Sequence, residues 1–94
     1  MESLLDSMTI PLSRPYIIDG TEHKELVMCE PKLRDRIMFS KDKGDEEERS
    51  ARMISRLINV DVKALYDLPD CDYSKLEAAF NEMVKPPEKR KEIS

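Results

Sequence analysis

The groups in this 94-residue chain that could perform chemistry are few: two thiols, Cys29 and Cys71, one imidazole, His23, and short runs of carboxylates. A structural zinc site takes four nitrogen or sulfur ligands, and these residues supply three at most. A Cys29–His23 nucleophilic pair needs the two side chains in contact, yet six extended residues span roughly 20 Å. The pair is therefore excluded if the strand that carries both is straight. Cys71 could reach His23 only through tertiary folding. Nothing indicates secretion, so both cysteines are expected to be reduced, partly buried thiols rather than a disulfide.

The charged runs have simpler explanations than catalysis. Asp45-Glu46-Glu47-Glu48 is contiguous, unlike the alternating ligands of a calcium loop, and it stands where a helix start favours negative charge. Asp70 and Asp72 flank another helix entrance. Arg49, Arg52 and Arg56 fall three and four apart and could meet phosphates, but Glu48 lies four residues before Arg52, which suggests local pairing on a solvated face. Lys89-Arg90-Lys91 is bracketed by Glu88 and Glu92 and reads as a solubility tail. With Gly20 and Gly44 as the only glycines there is no phosphate-cradling loop. No catalytic residues, metal or cofactor are expected.

Composition narrows the class further. Sixteen Lys and Arg face 20 Asp and Glu, a net charge of −4, which disfavours nucleic acid as a partner. Apolar residues are 39% and charged residues 38%, with no Trp and 6 Met, so the core must be thin, aliphatic and Met-rich. No run approaches the roughly 20 apolar residues of a membrane span, and Met1 to Asp6 lacks the features of a signal peptide. A soluble, cytoplasmic protein without a membrane partner is expected.

The elements that must position any site follow from local grammar. Residues 1–8 read as a flexible lead. Residues 9–29 read as a β-hairpin turning at Asp19-Gly20, with Pro11 and Pro15 marking the first strand as an edge. A two-residue turn pairs Leu12 with Val27; a three-residue loop through Thr21 pairs Leu12 with Met28 and gathers Leu12, Leu26 and Met28 on one face. The second is preferred, at the cost of placing Arg14 on that face. Glu30-Pro31 ends the hairpin. Helices are expected at about 32–39, 46–58, 62–67 and 73–84, with Asp45, Asp61 and Asp72 as caps and Asn59 as a left-handed stop. The link Ser40–Gly44 is expected to be exposed and mobile. Pro86-Pro87 forbids further helix, leaving 85–94 as a flexible charged tail. The fold class is α+β: one domain at 9–84, an antiparallel hairpin followed by three to four helices.

With chemistry set aside, a surface for protein partners remains. Tyr16, Ile17 and Ile18 form a bulky trio that a two-stranded ribbon cannot bury on both faces. Either the helices wrap it, or another copy or a client peptide adds to it. Candidate contact residues are Leu12, Tyr16, Ile17, Ile18, Leu26 and Met28 in the hairpin, and Met53 and Phe80 in the helices.

The stretch Leu12-Ser13-Arg14-Pro15-Tyr16-Ile17-Ile18-Asp19-Gly20, followed by Glu25-Leu26-Val27-Met28-Cys29-Glu30-Pro31, resembles the opening of the small tail assembly proteins of Mu-like and P2-like tailed phages. The helix Glu48 to Asn59, then Val60-Asp61, Leu65, Leu68 and Asp72-Tyr73, looks like the later part of the same family. Cys29 departs from it, since an arginine is common before the Glu-Pro pair. The resemblance implies a noncatalytic tail assembly chaperone of the host cytoplasm, absent from the mature virion. It would bind the tape measure protein, assist assembly of the tail tube protein, and act as a homo-oligomer or beside a longer frameshifted form. A small adaptor or regulatory domain of another system is the alternative.

Overall fold

The structure, a computed structural model, describes residues 6–92. Strands β1 (Ser7–Ile18) and β2 (Thr21–Cys29) form an antiparallel hairpin. Helices α1 (Leu33–Lys41), α2 (Glu46–Ile58), α3 (Val62–Tyr66) and α4 (Asp70–Met83) follow, and a short 3₁₀ turn covers Pro87–Lys89. The α+β class and the element order match the sequence reading. The first strand starts at Ser7 rather than at residue 9, because Met8 is buried opposite Met28. The remainder of the expected lead, residues 1–5, lies outside the described residues.

The hairpin corrects the preferred register. Asp19 and Gly20 both adopt positive φ, 51° and 78°, which is the signature of a two-residue turn whose twist suits the flanking strands. Ile18 accordingly faces Thr21, and Tyr16 faces His23. Farther along, Pro11 faces Glu25, so Leu12 to Pro15 of β1 stand against Lys24 alone in β2. This wide bulge gives Leu12 neither Val27 nor Met28 as its partner. It also releases Arg14 to solvent, where its Nε donates to the Tyr16 hydroxyl at 3.2 Å, and it leaves Pro15 where no ladder donor is needed. Past the bulge, Ile10 pairs with Leu26 and Met8 with Met28, and all four side chains point into the core.

What satisfies the bulge comes from the other end of the chain. The Ser13 N–H donates to Asp72 Oδ1 at 2.9 Å and the Ser13 hydroxyl donates to Oδ2 at 2.8 Å. Lys75 Nζ donates to the Pro11 carbonyl at 3.1 Å. Asp72 is 0% exposed. The expected cap of the last helix is thus a tertiary clamp in its first turn, and the helix itself begins three residues earlier than expected, at Asp70 after Pro69. A carboxylate near a helix start is favoured by the dipole, which lets one side chain serve both the helix and the bulge.

α4 packs on β1 and α2 on β2. Met53, Ile54, Leu57 and Ile58 of α2, Leu65 of α3, and Leu76, Ala79 and Met83 of α4 close the core against the hairpin. α2 has the expected ends: Asp45 accepts from the Glu48 N–H, Glu48 returns to the Asp45 N–H, and Asn59 turns left-handed at φ 58°. Asp61 caps α3 through the Lys63 N–H at 2.9 Å. α1 buries none of its residues.

Removing the clamp should cost more than a surface change. Asp72→Ala removes the buried acceptor of both Ser13 donors, which water reaches only from the Ser13 side, and is expected to lower stability by about 1–2 kcal/mol; Asp72→Asn, which keeps one acceptor, should lose less. Urea melts followed by circular dichroism read the order, and equal stability of wild type and Asp72→Ala would show the clamp to be dispensable.

Candidate partner-binding cleft

α1 is held to the rest of the molecule through α2. The Arg49 guanidinium lies over the Phe39 ring at 4.8 Å. Arg52 Nε donates to Asp42 Oδ2 at 2.6 Å, and its Nη2 donates to the Lys43 carbonyl. The Asp42 carboxyl is held below the usual range by the Arg52 hydrogen bond and then by the Lys43 N–H. Gly44, at φ 105°, passes so close to Glu48 that an added Cβ would stand 2.6 Å from its Oε1. The link expected to be mobile is therefore pinned. The arginine stripe read as a solvated face is divided: Arg49 covers Phe39, Arg52 ties the link to α2, and Arg56 is exposed. The i,i+4 partner expected for Arg52 was Glu48; Asp42 takes that place because the link folds back over the helix.

This arrangement opens a cleft of about 760 Å³ between α1, α2 and α4. Leu33 and Phe39 line it from α1, Met53 and Ile54 from α2, and Phe80 and Met83 from α4, with Val84 just beyond. Lys32, Asp35 and Arg36 at α1, Glu46 of α2 and Glu77 of α4 supply charged groups to its lining. Leu33 is 67% exposed, and Ile37, Met38 and Val84 are exposed as well. An α-helix is about 10 Å across, so the cleft admits about two turns of one.

One end of the cleft is formed by the segment expected to be a flexible tail. After the 3₁₀ turn, Arg90 folds back with its side chain only 4% exposed, and its Nη2 meets Glu30 Oε2 at 2.6 Å. Arg90 Nε donates to the Lys85 carbonyl at 2.8 Å, and the Lys91 N–H donates to Glu82 Oε1 at 2.9 Å. The Glu30 carboxyl is held below its ordinary value by hydrogen bonds from Arg90 and then Lys32; Glu82 is lowered by Lys85 and then by the Lys91 N–H. A tail with no apolar periodicity docks here through charge rather than hydrophobic burial.

The sequence candidates separate into two groups. Phe80 reaches the cleft surface, whereas Met53 lies beneath it as a core residue, 7% exposed. Ile18, Leu26 and Met28 are core, and Leu12 packs partly against it; a buried side chain offers a partner no surface. Tyr16 is half-buried beside Arg14, and only Ile17, 68% exposed, projects from the hairpin tip. Leu33, Phe39 and Val84 were not among the candidates. Their signal was present in α1, a two-turn helix with apolar residues and nothing assigned to cover them. Cys29 and Cys71 are free and both exposed, not partly buried as expected. Among the described residues no cluster of three or more His, Cys, Asp or Glu could hold a metal, and no helix is long and apolar enough to cross a membrane.

Tail docking should depend on pH with a definite sign. Both carboxyls titrate lower in the folded chain than the ordinary glutamate value of 4.5, so their contribution is complete above that value and is lost as pH falls through the depressed ones. The Arg90 side-chain NMR signal should stay protected at neutral pH and lose protection only as pH falls below the ordinary glutamate value. Glu30→Gln should weaken that protection at neutral pH. A signal unchanged by either would show that these ion pairs do not hold the tail.

No curated protein and no solved structure matches this chain. One family does: residues 9–85 match the model of the phage tail assembly chaperone proteins, E, or 41 or 14. That span runs from the first strand through the end of α4. It takes in both the clamp and the cleft, and the chain belongs to the phage tail assembly chaperone family.

Proposed function

We propose that this chaperone holds amphipathic helices of the tape measure protein in the cleft between α1, α2 and α4, keeps that long client soluble in the host cytoplasm, and releases it as tail tube subunits assemble around it. The observation that carries this reading is α1, a helix that buries none of its own residues yet sets Leu33 and Phe39 opposite Met53 and Phe80. Met and Phe side chains accept varied helical sequences with little geometric demand. Charged groups of both signs in the lining suit helices with charges of both signs flanking an apolar stripe. A net charge of −4 keeps loaded complexes apart.

Co-expression with the tape measure protein tests it. The wild-type chain should move most of the client into the soluble fraction. Leu33→Asp combined with Val84→Asp should reduce that yield by about tenfold or more, with unchanged circular dichroism because both positions are exposed. A client left insoluble by the wild-type chain would defeat the chaperone reading. Full rescue by the double variant would defeat the cleft as its site.

A further inference from the structure

The two free edges of the hairpin are not equivalent. The Glu30 N–H donates to the Asp6 carbonyl at 3.2 Å. Antiparallel pairs alternate between hydrogen-bonded and non-bonded, so Met8/Met28 and Ile10/Leu26 bond across the hairpin. Ser7/Cys29, Thr9/Val27 and Pro11/Glu25 then turn their main-chain groups outward. The Pro11 carbonyl confirms this parity, since it points away from β2 to accept from Lys75.

On β1 that outward edge is closed from Pro11 to Pro15, which leaves only Ser7 and Thr9 open. Pro11 and Pro15 have no N–H, the Pro11 carbonyl is taken by Lys75, and the Ser13 N–H by Asp72. On β2 it is open. Glu25, Val27 and Cys29 are exposed and face outward at every second position, and no described residue hydrogen-bonds to their main-chain groups.

We propose that the free edge of β2 pairs antiparallel with β2 of a second copy of this chain, about a two-fold axis at Val27, to form a four-stranded sheet. The register follows from the side chains. With Val27 at the axis, Glu25 of each copy faces Cys29 of the other, and these outward residues form three bonded pairs that each exchange two hydrogen bonds. Leu26 falls beside Met28 of the other copy on the inner face, and Lys24 beside Glu30. Thr9, Val27 and the same two residues of the second copy make one β-branched row across the outer face. Centring on Glu25 instead would oppose two carboxylates, and centring on Leu26 would set Lys24 against Met28. Because this edge lies outside the helical cleft, the pairing stands or falls apart from client binding.

Light scattering after size exclusion, on the full chain from low concentration to about 1 mM, reads the mass. It should rise from 11.0 kDa toward twice that value. Val27→Pro removes only an outward N–H and should keep the mass at that of one chain. Val27→Lys, which opposes two charges at the axis, should do the same while retaining native circular dichroism. Ile17→Lys at the hairpin tip should still pair. A wild-type chain that stays single at the highest concentration overturns the proposal, as does undiminished pairing of Val27→Lys or a mass increase seen only when another protein is added.

Discussion

The buried carboxylate of Asp72 is the contact on which the architecture turns. A twelve-residue strand bearing two prolines cannot pair in one register with a nine-residue partner, and the mismatch is absorbed as a bulge whose Ser13 donors need an acceptor. Asp72 meets both from the first turn of α4. A buried charge is tolerated when its oxygens are hydrogen-bonded, and here the helix dipole adds to that. The same contact sets α4 against β1, leaving β2 to α2.

That division explains why the cleft exists. A hairpin has one inner face, and two helices fill it. α1 makes its main contacts with α2 rather than with the sheet. Of its apolar residues Phe39 packs partly against the core, and Leu33, Ile37 and Met38 remain exposed. In a protein with a thin core this is a cost in solubility, which a binding role would offset.

Much of this was legible beforehand, for identifiable reasons. The Asp-Gly turn, the Asp45 and Asp61 caps and the Asn59 stop are local, and each rests on backbone chemistry within a few residues. The bulge was not, because the register depended on an acceptor 59 positions away. The docked tail escaped for a related reason: Arg90 reaches Glu30 across the fold, and charge contacts leave no periodicity to read. The candidate contact residues were drawn largely from the hairpin because its apolar residues were conspicuous. Three of them, Ile18, Leu26 and Met28, are conspicuous because they are core.

The attachment of α1 bears on how a cleft of fixed sequence could hold clients of varied sequence. One cation–π contact, one partly exposed ion pair and the partly buried Phe39 ring join it to the rest of the fold, whereas α2 and α4 share a continuous buried core with the hairpin. Elements with few buried contacts occupy the low-stability end of a structure and open locally without global unfolding. The wall formed by α1 can therefore shift while the walls formed by Met53 and Phe80 stay fixed. The pinned Asp42–Gly44 link holds one end of α1 and Glu30, bonded to Asp6 and Arg90, holds the chain just before the other, so the shift is confined to the two turns between them. Adaptability toward a client would then come from where the folding free energy is small.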